Sequence, residues 1–175
     1  MPNWCFNTLS INTRTEGGKV LANAFRPKYR DENGRQYASP FHDLMPIPDD
    51  LQIESGFFGK DTPKQKEMEE KYKANIEKYG YKSWYEWCIA NWGTKWDARV
   101  EDYIDHTDHE IEVLFDTAWS PAVEFFYWFS EQYPDAEFYC EYTEECMGYE
   151  GNFGKEDGIF FDHCEDTEPQ EEIDG

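Results

Sequence analysis

Four thiol and imidazole side chains near the carboxyl terminus are the first candidates for metal chemistry. Cys140 and Cys146 are separated by five residues, and His163 is followed directly by Cys164. Thiolates and imidazoles are ligands that zinc prefers, and four of them would complete a tetrahedral site. The chain lacks the CxxC pairs that make a zinc site convincing from sequence. We therefore expect no metal and no cofactor, and this group of four residues is left as an open alternative.

Catalytic motifs are also missing from the chain. It contains no GxSxG, no HExxH and no phosphate-binding loop. The 38 aspartates and glutamates are so numerous that a pair at a useful distance would arise by chance. We expect a binding protein rather than an enzyme, and no residue is assigned a catalytic role.

The charge of the chain is divided very unevenly. Residues 1–99 contain 15 basic and 14 acidic residues, whereas residues 100–175 contain 24 acidic residues and a single lysine, Lys155. Such an acidic chain is expected to bind a basic partner, or to take the place of another acidic molecule on that partner. It argues against direct binding to nucleic acid or to an anionic membrane. A surface that serves only solubility is the plainer alternative.

Residues 91–98 read NWGTKWDA and place two tryptophans around a Gly-Thr-Lys segment. Gly93 follows a helical pattern and is typical of a helix end. Large aromatic side chains usually lie in the core, so we expect both indoles to seal the junction between this helix and the sheet. The alternative is an aromatic-lined ligand pocket between a helical insertion and the sheet. Its candidate residues are Trp92, Thr94, Lys95, Trp96, Asp97 and Trp119.

Hydrophobic periodicity predicts the order of the elements. Alternation over residues 4–12 predicts a strand, and a helix follows that ends near Pro27. Residues 29–61 show no regular pattern. Capping signals at Thr62 and Ser83 begin two further helices. Extended runs from Trp96 and from His109 predict a hairpin, and Ser120-Pro121 predicts the start of a phenylalanine-rich helix.

Alternation also assigns acids to one side of the predicted strands. Ile111, Val113 and Phe115 would face the core, and Phe138, Cys140 and Tyr142 would do so on a later strand. The acidic residues between them would face solvent. The predicted partner-binding residues are Glu110, Glu112, Asp116, Glu137 and Glu141.

This order of elements predicts an α+β fold: a ferredoxin-like split βαβ antiparallel sheet with a helical insertion and an extra C-terminal hairpin. We expect one domain over residues 1–164, with the insertion at about 40–96, and an acidic, disordered tail over 165–175.

Four blocks of the sequence carry a resemblance to a known family. They are MPNWCFNTLSI at the start, FHDLMPIP at 41–48, WCIANWGTKWDA at 87–98, and TAWSPA with the helix that follows at 117–129. In these blocks the chain resembles the YubB-type ferredoxin-like domain family encoded by bacteriophages and conjugative plasmids. The resemblance implies a ferredoxin-like fold, a mobile-element origin and no established activity, and it supplies no catalytic residues.

Composition and resemblance together favour a non-enzymatic phage or plasmid protein. Its acidic C-terminal part would engage a basic host partner, such as a nucleic-acid-binding protein or a defence factor, as a nucleic-acid mimic in counter-defence. The alternative is a small-molecule binder or an enzyme that uses the tryptophan-lined pocket. The chain shows no secretion signal and no long apolar run, so we expect it in the cytoplasm of the host bacterium. The oligomeric state is open.

Overall fold

An antiparallel sheet of six strands forms the centre of the computed structural model, which describes residues 3–167. In chain order the elements are β1 (Trp4–Asn12), α1 (Glu16–Phe25), β2 (Tyr29–Arg30), β3 (Gln36–Tyr37), α2 (Pro40–Leu44), α3 (Pro63–Tyr79), α4 (Trp84–Asn91), β4 (Arg99–Thr107), β5 (Glu110–Ala118), α5 (Val123–Gln132), β6 (Phe138–Glu144), β7 (Tyr149–Glu156) and β8 (Ile159–Asp166). No helix within residues 3–167 combines the length and the apolar character needed to cross a membrane.

The strand order of the sheet confirms the predicted fold class. The order is β4-β5-β1-β6-β7-β8, and each neighbouring pair is antiparallel. The first four of these strands, connected by α1 with the insertion and by α5, form the ferredoxin-like split βαβ arrangement. The hairpin β7–β8 extends the sheet beyond β6. Its turn is Asp157-Gly158, with both residues at positive φ, which suits a tight two-residue hairpin.

Phenylalanine rings fill most of the core between the sheet and the helices. The ring centroids of Phe41 and Phe125 are 4.5 Å apart, those of Phe125 and Phe126 are 5.3 Å apart, and those of Phe25 and Phe126 are 6.1 Å apart. All four side chains are fully buried. Each contributes about 2–3 kcal/mol of burial energy, so the aromatic residues compensate for the few aliphatic ones.

The two helix starts predicted inside the insertion are confirmed. The hydroxyl of Thr62 accepts a hydrogen bond from the backbone N–H of Gln65 at 3.1 Å, and Gly80 ends α3 in the left-handed conformation. The side chain of Gln65 instead accepts from the N–H of Phe58 at 2.9 Å, which ties the preceding loop to the helix. Ser83 precedes α4 and donates to the Glu86 carboxylate at 2.8 Å.

Three boundaries differ from the sequence prediction. Residues 29–61 contain the β2–β3 hairpin, α2 and a short 3-10 helix at Asp49–Leu51, all too short to produce a hydrophobic period. Strand β4 begins at Arg99 rather than Trp96. Strand β8 continues to Asp166, so the first residues of the predicted tail belong to the sheet, while residues 168–175 lie outside the described part of the chain.

A fourth difference is the start of α5, which begins at Val123 rather than directly after Ser120. The Ser120 hydroxyl does not cap the helix. It donates to the carbonyl of Gly93 at 2.6 Å, and the preceding residue, Trp119, has a φ of 69°. The segment before α5 is therefore used to bind the end of α4 to the end of β5.

Asp97 fixes α2 against the sheet. Its carboxylate accepts four hydrogen bonds, from the backbone N–H groups of Phe41, His42 and Ala98 and from the hydroxyl of Ser39, at 2.7 to 3.0 Å. Burial raises the pKa of Asp97 above its ordinary value, and the four hydrogen bonds oppose that rise. Because α2 has only five residues, it has too few internal hydrogen bonds to be stable alone, and the bonds to Asp97 stabilise it.

Replacing Asp97 with asparagine should destabilise the fold by about 2 kcal/mol, because an amide NH₂ would face donors that now share a carboxylate. Urea unfolding followed by circular dichroism measures the change. The matched control is Asp61→Asn, in an exposed loop, which should leave the midpoint unchanged. Equal midpoints for Asp97→Asn and the wild type would contradict this role.

Candidate functional site

The sheet has a covered face and an open face. Leu9, Val113 and Cys140 lie on the covered face, under the helices, and all three are fully buried. The side chains that alternate with them are mostly exposed or half-buried, as with Phe6 at 47% exposure and Glu141. The open face is therefore the solvent-facing side of the sheet.

Carboxylates are numerous on the open face, and the strand register places them on β4, β5, β6, β7 and β8, whereas β1 carries none. Glu112 lies opposite Ser10, which lies opposite Tyr139, and the same alternation continues through β7 and β8. We call the nine carboxylates of this surface the acidic face. They are Asp102, Glu110, Glu112, Asp116, Glu137, Glu141, Glu150, Glu156 and Glu165.

All five predicted partner-binding residues lie on the acidic face, but Asp116 is not available to a partner. Its side chain is buried and paired with the guanidinium of Arg99 at 2.6 Å. The expectation that Asp116 presents a free charge is therefore corrected. Arg99 also contacts Glu101 at 2.9 Å, so one guanidinium compensates two carboxylates at the start of β4.

Other members of the acidic face have weaker partners. Glu112 lies 3.3 Å from His106, and Glu165 lies 2.7 Å from His163. Glu137 accepts a hydrogen bond from the side chain of Asn12 at 2.8 Å.

Six carboxylates of the acidic face have no ion-pair partner in the described chain. Within residues 3–167, no nitrogen of a basic side chain lies within 4.0 Å of Asp102, Glu110, Glu137, Glu141, Glu150 or Glu156. Neighbouring strands are only about 4.8 Å apart, so like charges on one face repel each other and weaken the fold slightly. A bound cationic surface would remove that repulsion.

Lys155, the only lysine after residue 99, does not offset this charge at the surface. It lies on the covered face, 6% exposed, and its ammonium donates to the carbonyl of Ser130 at 2.7 Å. The single positive charge of this part of the chain is therefore hidden beneath α5. Lys155 therefore does not reduce the negative charge of the open face.

A cleft marks one end of the acidic face. It has a volume of about 560 Å³ and lies where β1 and β5 meet the start of β6. Its acidic lining residues are Glu110, Glu137, Glu156 and Asp157, and Arg14 and His109 also line it. A concave surface lined by carboxylates concentrates negative potential and would receive a cationic side chain.

The six residues of the alternative tryptophan pocket divide between interior and surface. Trp92 is 2% exposed, and its indole N–H donates to the carbonyl of Met45 at 3.1 Å. Thr94 is buried and donates to the carbonyl of Ala118 at 2.9 Å. Asp97 is occupied by its four hydrogen bonds. These three residues stabilise the fold and leave no polar group free for a ligand.

The expectation that both indoles are internal is correct for Trp92 and wrong for Trp96, which is 41% exposed. Trp119 is 43% exposed, and the ammonium of Lys95 lies between these two rings. Gly93, with a φ of 83°, turns the chain between buried Trp92 and exposed Trp96. A Cβ at this position would collide with the Glu124 carboxylate.

The candidate zinc ligands do not form a metal centre in the part of the chain that the structure covers. Within residues 3–167, no three side chains of His, Cys, Asp or Glu lie close enough together to hold a metal ion. Cys140 points into the core, whereas Cys146 and Cys164 are exposed. Burial raises the pKa of Cys140 well above its ordinary value, and it raises the pKa of Cys5 and Cys88 to about 12.

The fold defines a ferredoxin-like α+β protein, and the comparison with protein-family models agrees with this class. Residues 91–175 match the family model described as "Ferredoxin-like domain in Api92-like protein". This range covers β4 to β8 with α5, and β1 and α1 complete the fold outside it. A search among curated proteins gives no match.

One solved structure is similar to the chain. It is the crystal structure of the protein Api92 from Yersinia pseudotuberculosis, at 12% sequence identity and a TM-score of 0.49. The alignment covers 96% of this chain and 99% of that one.

Sequence reasoning missed four carboxylates of the acidic face, Asp102, Glu150, Glu156 and Glu165. Strand β7 carries glycines at 151 and 154, which interrupt the alternation that identifies a strand face. The structure shows why the glycines are there. A Cβ at Gly151 would collide with the hydroxyl of Tyr142, and one at Gly154 would lie 2.9 Å from the ring of Phe161.

Thiol labelling should separate the five cysteines into two groups. Cys146 and Cys164 should react with iodoacetamide at pH 8 within minutes, because they are exposed. The three buried thiols should stay unmodified until the protein is unfolded. Mass spectrometry of digests identifies the labelled residues. Labelling of Cys140 at the rate of Cys146 would contradict the placement of β6.

Proposed function

We propose that this protein is a non-enzymatic interaction protein whose acidic face engages a basic, nucleic-acid-binding partner by occupying the surface that nucleic acid would occupy. The observation that carries the proposal is the gathering of nine carboxylates on one open sheet face, six of them without an ion-pair partner in residues 3–167. A solubilising surface would not require that the acids share one face.

The rigidity of the sheet supports this proposal. Neighbouring strands are about 4.8 Å apart, so Glu150 and Glu165 lie side by side, whereas the acids of β5 and β6 are separated by β1. Alternate residues of one strand are about 6.8 Å apart, which is of the same order as the roughly 3.4 Å between phosphates along one nucleic-acid strand. Because the strands are already ordered, binding costs less conformational entropy than the ordering of a flexible acidic tail.

The origin and setting belong to the same proposal. The blocks that resemble the YubB-type family favour a phage or plasmid protein that acts in the cytoplasm of a bacterial host. A host nuclease or defence factor with a basic cleft would then be the partner. Direct binding to nucleic acid is disfavoured, because phosphates would be repelled by the acidic face.

Two variants with equal changes of charge test the role of the acidic face. The first replaces Glu110, Glu141, Glu150 and Glu156 with glutamine. The second replaces four acids of α3, namely Glu67, Glu69, Glu70 and Glu77, with glutamine. Both variants lose four negative charges, but only the first loses them from the open face.

Proteins captured from a bacterial lysate by the wild type should be released by double-stranded DNA and by 0.5 M salt. Their affinity should fall roughly tenfold or more for the first variant, since each interfacial charge contributes up to about 1 kcal/mol. The second variant should bind like the wild type. Equal losses of affinity in both variants would show that binding depends on net charge and not on the acidic face. Captured proteins that are not released by DNA or by salt would contradict mimicry.

A further inference from the structure

A cation lies between two exposed indole rings beside the acidic face. The ammonium of Lys95 is 4.1 Å from the ring centroid of Trp96 and 3.9 Å from that of Trp119. Both distances are well within the range of a cation–π interaction. We call Trp96 and Trp119 the aromatic cage, with Lys95 as its occupant.

Hydrogen bonds hold the walls of the cage in place. Trp119 has a φ of 69°, a left-handed conformation that is unfavourable for a bulky residue. Its N–H donates to the carbonyl of Asn3 at 2.8 Å, and its carbonyl accepts from the hydroxyl of Tyr149. Thr94, just before the cage residues, is bound to the carbonyl of Ala118. The cage is therefore preformed rather than assembled around a ligand.

Only the two rings hold the occupant. No carboxylate oxygen within residues 3–167 lies within 4.0 Å of the Lys95 ammonium. A lysine on a flexible four-carbon stem, without an ion-pair partner in the described chain, can leave the cage at little cost. The two rings therefore form a cation-binding site in which another cation can replace Lys95.

The cage adjoins the acidic face. The ring centroids of Trp96 and Trp4 are 6.1 Å apart, and Trp4 is the first residue of β1, opposite Ala118 of β5. The guanidinium of Arg99 lies 4.1 Å from the Trp4 ring and also binds Asp116 of the acidic face. A basic partner that covers the acidic face would therefore bring its cationic side chains to the cage.

We propose that the aromatic cage receives an arginine side chain of the basic partner, and that Lys95 occupies the cage in the free protein and leaves it on binding. A planar guanidinium stacks on indole faces better than an ammonium does. Tryptophan and arginine are also the residues that most often dominate the energy of protein interfaces. This inference rests on the proposed function, because it takes the partner to be basic.

Two peptides of equal charge, octa-arginine and octa-lysine, test the cage. Their dissociation constants are measured by fluorescence anisotropy at 50 mM salt with the full chain. The variants are Trp96→Ala, Trp96→Phe and Lys95→Met, and the control is Phe57→Ala, which removes an aromatic ring that is 74% exposed and lies outside the cage.

The wild type should bind octa-arginine more tightly than octa-lysine. Trp96→Ala should lower the arginine-to-lysine affinity ratio about threefold, and Trp96→Phe should have a smaller effect. Lys95→Met empties the cage and should raise the same ratio above that of the wild type. The control should leave it unchanged.

The outcomes separate the two proposals. If both peptides bind in a salt-dependent manner but the ratio is the same in all variants, the cage proposal is overturned and the proposed function stands. If neither peptide binds the wild type at 50 mM salt, both proposals fail. If Lys95→Met lowers the arginine-to-lysine affinity ratio, Lys95 is part of the binding site. The proposal that a partner arginine replaces Lys95 in the cage is then overturned.

Discussion

The account depends on one constraint: the helices cover only one face of a six-stranded sheet. All the large rings of the core pack on that face, where Phe125 and Phe126 of α5 contact rings from α1, α2 and the sheet. The other face is not covered by helices, and it carries acidic and polar residues together with apolar ones such as Phe6 and Leu114. The chain places carboxylates there on every strand except β1 and hides its single late lysine, Lys155, on the covered side. Repulsion among these acids lowers the stability of the fold slightly.

The segment from Gly93 to Ser120 connects this face to the rest of the molecule. Gly93 ends α4, Thr94 and Ser120 bond across to the neighbouring loop, and Asp97 anchors α2. The same segment places two indoles at the surface beside the acids. Scaffold and candidate contact surface are thus made by adjacent residues, with side chains at 92, 94 and 97 turned inward and those at 95 and 96 turned outward.

Much of the fold could be predicted from sequence, because its major elements carry long, regular signals. The nine-residue strands β1 and β5 alternate cleanly, and α3 shows its cap at Thr62 and its stop at Gly80. The short elements between residues 29 and 51 could not be predicted, because two-residue strands and a five-residue helix have no period. The start of α5 was placed too early, since a serine before a proline resembles a cap although Ser120 binds Gly93 instead.

The candidate surface was predicted in part. Alternation located Glu110, Glu112, Glu137 and Glu141, but periodicity does not show which acids are paired. The Arg99 contact that occupies Asp116 crosses from β4 to β5 and is visible only in the folded sheet. The exposure of Trp96 was missed because large rings are usually buried, and the cation between the rings became evident only when Trp119 was brought beside Lys95.

An NMR titration of the ¹⁵N-labelled protein with octa-lysine at low salt tests the central claim most directly. The account predicts that the shifted backbone amides cluster on β1, β5, β6 and β7, around Glu110, Glu141 and Glu150. Shifts concentrated on the acids of α3, or spread evenly over all acidic residues, would contradict it.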